Sequence, residues 1–392
     1  MRKKLILMLA LILVMSTLAA CGGGGGGDTG SDTDVIKIGV NYELSGEVAT
    51  YGTDSKDGIQ MAIDEVNDAG GVLGKQIELI IKDNKSDPAE ATSLAEALFT
   101  EEGVVAGLGP ATSGNFAAVI PSATNHGIPV ISSSATADEG ITTDENGDVR
   151  EFVFRTCFTD SFQGKTMAAF AKNKFNATKA VIYKDNSSDY AKGLAENFKS
   201  TFEAGGGEIV AEEGYVAKDK DFNAVLTSIK DKDFDVLFVP GYYQEAGLII
   251  KQARELGIDV PILGADGFDS PELVELAGAN AANDIFFSNH YSSLDEDPMV
   301  QEFITKFNDK FGKDPSAFHA MGYDLGKYIV DAIGRAGEAD PGAIAQALSS
   351  TEEFSGVTGT FSVDENHNAV KAAVVIEMQG GEQVSAEKVS VE

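Results

Sequence analysis

Three short segments of the chain carry side chains that can bind a small polar ligand. Residues 109–114 (Gly-Pro-Ala-Thr-Ser-Gly) join a predicted strand to a predicted helix, so Ser113 and the free N–H groups of the helix start can hold an anion. The alternative is that Thr112 or Ser113 merely caps the helix. Residues 132–136 (Ser-Ser-Ser-Ala-Thr) place four hydroxyls at the end of another strand, which exceeds what capping needs. Asp266 follows a third strand, where an Asp-Gly turn is the structural alternative.

Four tyrosines fall in predicted loops near these strand ends: Tyr51, Tyr190, Tyr242 and Tyr291. Taken singly, each is explained as well by packing as by ligand binding. Taken together, these segments offer hydroxyls that can bind a carboxylate, an acid that can bind an ammonium group, and an aromatic wall. This combination suits a free amino acid.

The chain carries no signature of an enzyme or a metal site. The four histidines are scattered without metal-ligand spacing. Residues 70–75 lack the first glycine and the Ser/Thr of a phosphate loop. Cys157 lies in an apolar run, which is typical of a buried structural thiol. We therefore expect no catalytic residue, no metal and no cofactor.

Strand-like runs alternate with helical patterns in two successive series, one before Phe152 and one after it. Alternating β and α elements predict parallel sheets wound by right-handed crossovers, so two series predict two doubly wound α/β lobes. Ligands bind at the carboxyl ends of such strands, and two facing lobes enclose a cleft there. The predicted strands are 35–40, 76–82, 104–108, 129–132, 180–183, 208–210, 235–239 and 261–264.

The first 34 residues predict export. A basic tip and a short apolar run precede Leu18-Ala19-Ala20-Cys21, which resembles the bacterial lipoprotein box, where the cysteine becomes lipidated. An uncleaved anchor helix is the alternative, but residues 5–20 fall short of the ~20 residues that span a bilayer. We expect a signal peptide (1–20), a Gly-rich tether (21–34) and an extracytoplasmic protein held at the membrane by its lipid alone.

Length and charge limit the possible partners. Residues 35–392 exceed the ~250–300 residues at which one core stops growing, so two domains are expected. The net charge of −32 disfavours nucleic acid and anionic lipid as partners. We expect a monomer.

Several short motifs, each weak alone, occur in a shared order from about Val35 to the end of the chain. The motifs are Leu44-Ser45-Gly46 with Tyr51-Gly52, Gly109-Pro110-Ala111-Thr112-Ser113, Ser134-Ala135-Thr136, Asp189-Tyr190-Ala191-Lys192-Gly193, Gly241-Tyr242-Tyr243-Gln244-Glu245 and Arg254-Glu255-Leu256-Gly257. Through them the chain resembles the leucine/isoleucine/valine-binding protein family, the extracytoplasmic receptors of branched-chain amino acid ABC transporters.

The resemblance implies a type I periplasmic-binding-protein fold, in which two α/β lobes are joined by three crossovers. In this chain they are expected near Arg155, Phe287 and Gly359. Lobe 1 is then 35–154 plus 288–358, and lobe 2 is 155–287 plus 359–392.

The resemblance also implies roles for the site residues. Ser113 and Thr136 hold the ligand carboxylate, while the ammonium meets the Ser134 carbonyl, Thr136 and Asp266. Asp266 is one methylene shorter than the family's glutamate, which leaves the side-chain preference open. The pocket set that follows is Tyr51, Thr112, Ser113, Ser134, Ala135, Thr136, Tyr190, Tyr242 and Asp266, with Tyr291 as a fourth aromatic.

The implied function is capture of a free amino acid, branched-chain or similar, by lobe closure and its delivery to an ABC permease. Two alternatives stay open: a ligand-sensing module on the same fold, and a receptor for a related small amide or carboxylate. An enzyme is disfavoured by the missing catalytic set.

Overall fold

The computed structural model describes residues 35–389. The predicted signal peptide, the tether and the lipidation site Cys21 lie outside these residues. Among the described helices, none combines the length and the apolar character that a membrane crossing requires.

The first sheet contains five parallel strands: β1 (Val35–Tyr42), β2 (Gln76–Asp83), β3 (Ala106–Leu108), β4 (Val130–Ser132) and β5 (Val153–Arg155). Their order across the sheet is β2-β1-β3-β4-β5. Ile38 and Val40 of the inner strand β1 are fully buried, as expected for a parallel strand with both faces covered. The sequence pattern predicts β1 to β4, whereas β5 lies in the apolar run around Cys157 that we did not assign to a sheet.

The second sheet begins with five parallel strands: β6 (Lys179–Asp185), β7 (Glu208–Tyr215), β8 (Val236–Phe238), β9 (Ile262–Gly264) and β10 (Ile285–Asn289). They lie in the order β10-β9-β8-β6-β7. The two parallel sheets confirm the predicted doubly wound α/β class.

A small antiparallel sheet follows, made of β11 (Phe354–Gly356), β12 (Gly359–Val363) and β13 (Ala369–Val370). Only after it does β14 (Ala373–Gln379) join the second sheet antiparallel to β10, and β15 (Glu382–Val389) then pairs antiparallel with β14 at the edge. The third crossover therefore lies just before Ala373 and not near Gly359, because residues 359–370 pair with β11 instead of with the second sheet.

Eleven α-helices lie in the described part of the chain. Asp87 caps α2 by accepting the N–H groups of Ala89 and Glu90, as its position before Pro88 predicts. The helices are α1 (Ala49–Asp68), α2 (Pro88–Ala97), α3 (Ser113–His126), α4 (Asp160–Phe175), α5 (Asp189–Ala204), α6 (Asn223–Ile229), α7 (Tyr243–Glu255), α8 (Pro271–Ala277), α9 (Pro298–Phe311), α10 (Ala317–Ala336) and α11 (Pro341–Ser349), with a π-helical turn at Leu98–Glu102 and a 3-10 turn at Asp266–Phe268.

Helix α10 returns the chain to the first sheet by packing closely on α1. A Cβ on Gly58 would lie 2.1 Å from the His319 carbonyl oxygen, and one on Gly322 would lie 2.1 Å from that of Ser55. Only glycine allows this approach at both positions. The crossing places the N-terminal turn of α10 beside the strand ends.

Candidate ligand-binding site

The carboxyl ends of strands from both sheets surround a cavity of about 230 Å³. Seven of the predicted site residues line it, so residues far apart in sequence do meet at one place. The lining residues are Tyr51, Ala111, Thr112, Ser113, Ser134, Tyr190, Tyr242, Asp266, Gly267 and Phe318. Larger cavities of about 890 and 700 Å³ lie elsewhere, around Met299 and Gly356.

Hydroxyl groups fix the wall that belongs to the first sheet. Ser132 Oγ donates to the Pro110 carbonyl oxygen over 2.7 Å and accepts the N–H of Ala135 over 3.0 Å. Ser134 Oγ donates to the Ala111 carbonyl oxygen over 2.9 Å. The loop after β4 is thereby tied to the loop after β3, which is why the two predicted segments lie side by side.

Ser113 is the first residue of α3 and faces the cavity. Its Oγ accepts the N–H of Ala137 over 3.2 Å, which leaves its own hydroxyl hydrogen to donate to an anion. The helix start adds a partial positive charge. This wall can bind a carboxylate.

Thr136 and Ala135 are fully buried and lie just behind the lining residues. Thr136 Oγ1 has no hydrogen-bond partner among the described residues, and neither has the carboxyl of Asp160. Burial raises the pKa of Asp160 well above its usual range, while the neighbouring Thr136 hydroxyl acts in the opposite direction. The Thr136 hydroxyl therefore lies directly behind the cavity wall, close to the Asp160 carboxyl.

Asp266 is buried on the opposite wall, in the turn that follows β9. Its Oδ1 accepts the Tyr190 hydroxyl over 2.7 Å and Gln163 Nε2 over 3.1 Å. Ser288 Oγ donates to Gln163 Oε1 over 2.7 Å and orients that amide. The second oxygen, Oδ2, lies 3.6 Å from Nε2 of His290. Burial lowers the pKa of His290 to about 4, so a neutral imidazole faces Oδ2 and leaves it available to a cation.

Aromatic rings close the cavity. Tyr51 stacks on Phe318 with ring centroids 4.3 Å apart and meets Tyr242 edge-on at 5.7 Å. Tyr242 in turn stacks on Tyr190 at 5.2 Å. These rings form an apolar wall, as predicted for the three tyrosines, and Phe318 is an addition that the sequence pattern did not indicate.

Direct hydrogen bonds join the two sides of the cleft. Tyr51 Oη donates to the Gly267 carbonyl oxygen over 2.5 Å, and Thr50 Oγ1 donates to Glu272 Oε1 over 2.9 Å. At the rim, Tyr243 Oη donates to the Glu47 carbonyl oxygen over 3.1 Å. The structure is therefore that of a closed cleft.

Tyr291 does not line this cavity, contrary to our expectation. Its ring packs edge-on against Phe303 of α9, with centroids 6.2 Å apart, and borders the larger cavity near Met299. The reason is that β10 ends at Asn289, after which the chain crosses back toward the first sheet.

Gln163, Gly267 and Glu43 are functional candidates that we did not predict.

The chain matches a family model described as periplasmic binding protein over residues 35–383. The leucine-, isoleucine-, valine-, threonine- and alanine-binding protein of Pseudomonas aeruginosa is 32% identical over 333 residues, which cover 85% of this chain and 86% of that protein.

Two solved structures are similar to this chain over most of its length. The branched-chain amino acid transporter substrate-binding protein of Streptococcus pneumoniae, in complex with isoleucine, is 45% identical with a TM-score of 0.86, covering 91% of this chain and 100% of that one. A leucine-binding protein of Thermotoga maritima is 33% identical with a TM-score of 0.83, covering 91% and 99%. The chain belongs to the periplasmic binding protein family, as its resemblance to the leucine/isoleucine/valine-binding proteins indicated.

Proposed function

We propose that this protein is an extracytoplasmic solute receptor that captures a free amino acid with a branched-chain or similar apolar side chain and delivers it to an ABC permease. The observation that carries the proposal is that two sets of polar groups, each able to bind a charged part of a ligand, face each other across one cavity. Ser113 lines one side, with the Thr136 hydroxyl just behind it, and Oδ2 of Asp266 stands on the other. A carboxylate and an ammonium on one small molecule match this pair.

The size and lining of the cavity support an apolar amino acid. The cavity is small and lined by side chains from both sheets, which favours a small metabolite over a peptide. Tyr51, Tyr242 and Phe318 offer ring faces and edges to an aliphatic or aromatic side chain. The relatives from P. aeruginosa and S. pneumoniae, by their names, handle such amino acids.

We propose that the permease recognises the receptor by the closed form of its cleft. The hydrogen bonds from Tyr51 and Thr50 exist only when the two sides meet, so the closed form presents a surface that the open form lacks. A lipid on Cys21 and the glycine tether would keep the monomeric receptor near its permease at the membrane.

A thermal-shift screen of residues 35–392 against the twenty amino acids, small amides and aromatic acids tests the proposal. A ligand at 100 times its Kd adds about 2.7 kcal/mol to the free energy of unfolding, which raises the melting temperature by several degrees. We expect the largest rise with an apolar amino acid. A rise with amides or aromatic acids only, or with none of these compounds, would overturn the proposed ligand class.

A further inference from the structure

Glu43 is a fully buried acid at the end of β1 that the proposed ligand-binding groups do not include. Its Oε2 accepts the N–H of Ala111 over 2.9 Å. Its Oε1 accepts the N–H of Thr112 over 3.1 Å, the Thr112 hydroxyl over 2.9 Å and Asn115 Nδ2 over 2.8 Å. Four donors from the loop after β3 and the first turn of α3 therefore converge on one internal carboxylate.

This carboxylate stands directly behind the wall that faces the ligand. Ala111 and Thr112, whose N–H groups it holds, both line the cavity. The N–H groups of the two residues before α3 are thus already occupied and cannot bind an external anion. A helix start supplies only about half a positive charge, so a full negative charge outweighs it locally.

The other charges around the cavity do not cancel this one. Asp266 is a second acid on the opposite wall, and its neighbour His290 has a pKa lowered to about 4 by burial. Arg155 is a buried cation beside the hydroxyl wall, where its Nη1 donates to the carbonyl oxygens of Ala135 and Ala137. Lys371 is a second buried cation near His290, but it shares the Thr358 hydroxyl with the buried carboxylate of Asp324, and Asp160 is a further buried acid behind the hydroxyl wall. Glu43 and Asp266 against Arg155 therefore leave an excess of negative charge around the cavity.

We propose that Glu43 is a specificity-determining residue that acts through Ala111 and Thr112 and makes the cavity reject carboxylates that lack an ammonium group. The inference rests on the proposed function and deepens it. An amino acid brings its own positive charge, which the excess negative charge attracts. A simple monocarboxylate of the same shape brings only a charge that Glu43 and Asp266 repel.

The test compares leucine with 4-methylpentanoate, which is leucine without its amino group, by calorimetry on residues 35–392. Glu43→Gln keeps the side-chain shape and removes the charge, and its amide nitrogen then faces the N–H of Ala111 or of Thr112, because both oxygens of Glu43 accept backbone donors. A charge ~8 Å from a ligand group, at an effective dielectric constant of ~20 and offset in part by the helix start, changes affinity roughly 10-fold. We expect Glu43→Gln to lower the ratio of leucine affinity to 4-methylpentanoate affinity by about that factor.

Two variants separate the charge from its hydrogen bonds. Asn115→Ala removes one donor to Glu43 and keeps the charge, so both affinities should change together and their ratio should stay constant. In the double variant Glu43→Gln with Asn115→Asp, the negative charge returns within one side chain of its original place, whichever way the amide at position 43 is turned. We expect the double variant to restore the ratio of wild type.

The outcomes are distinguishable. If wild type binds no amino acid, the proposed function fails. If wild type binds leucine and Glu43→Gln leaves the ratio within about 2-fold, Glu43 does not set specificity and the inference is overturned. Should Glu43→Gln not fold, wild type alone still decides against the inference if it binds 4-methylpentanoate as tightly as leucine.

Discussion

Replacing Asp266 with asparagine is a sharp test of the site, because its neighbours dictate the geometry of the variant. Tyr190 and Gln163 both donate to Oδ1, so the amide oxygen of the variant must take that place. The Nδ2 group then occupies the position of Oδ2, opposite the proposed ammonium. The substitution therefore exchanges a charged acceptor for a donor at the one oxygen that remains available.

The expected loss follows from two contributions. A hydrogen bond between charged groups is worth about 1.5–3 kcal/mol, and a donor that faces the ammonium without a partner costs about 1–3 kcal/mol more. Together they predict a loss of about 60-fold or more in affinity for an amino acid. The free energy of unfolding should fall by less than ~1 kcal/mol, because Tyr190 and Gln163 keep their bonds and a buried charge is removed.

Calorimetry with the tightest-binding amino acid and its deaminated analogue measures this effect. Asp269→Asn is the matched control, since Asp269 is also a buried acid of the same turn region but does not line the cavity. We expect the control to change affinity by less than ~3-fold. If folded Asp266→Asn binds the amino acid within ~3-fold of wild type, the assignment of the ammonium to Asp266 is refuted.

Three further predictions concern the cleft and the anchor. Tyr51→Phe keeps the ring packing but removes the hydroxyl that bonds to Gly267, so ligand dissociation in stopped flow should accelerate ~5- to 100-fold; an unchanged rate would exclude this bond from closure. Thr136→Val should weaken binding by ~1.5–3 kcal/mol, or about 10- to 150-fold in affinity by calorimetry. If Thr136→Val and Ser113→Ala both bind the ligand as tightly as wild type, these two hydroxyls do not bind its carboxylate. Cys21→Ala should move the full-length protein from membranes to the soluble fraction, and wild-type retention on membranes would argue against a lipid anchor.

The sequence predicts β1 to β4 and β6 to β9, and the ends of β3, β4 and β9, because each of these strands carries its own apolar signal, whereas β5 and β10 were not predicted. Parallel winding then brings the ends of β3, β4 and β9 to the cleft, which is why Ser113, Ser134 and Asp266 line one cavity although they are distant in the chain. Asp87 and Pro88 likewise fix the start of α2 through local chemistry alone.

Long-range packing accounts for what the sequence does not predict. Phe318 reaches the cavity because α10 crosses α1 at Gly58 and Gly322, and no local pattern marks that crossing. Tyr291 turns to Phe303 for a similar reason. Glu43 adjoins the motif Leu44-Ser45-Gly46, yet its role as an acceptor exists only once α3 folds above it.

The hydrogen bonds of Asp266 have a consequence for how binding begins. Its partners Tyr190, Gln163 and Ser288 belong to elements around the second sheet, whereas Ser113, Ser132 and Ser134 are tied together within the first. Each half of the site is therefore held by hydrogen bonds of its own, and neither half needs the other to order it. An amino acid that enters an open cleft can bind to one half whose side chains are already ordered, so the protein loses little side-chain entropy in that step. The remaining free-energy cost is that of closing one half of the protein onto the other. Mutations at the crossovers should therefore alter the rate of ligand capture without altering which amino acid is bound.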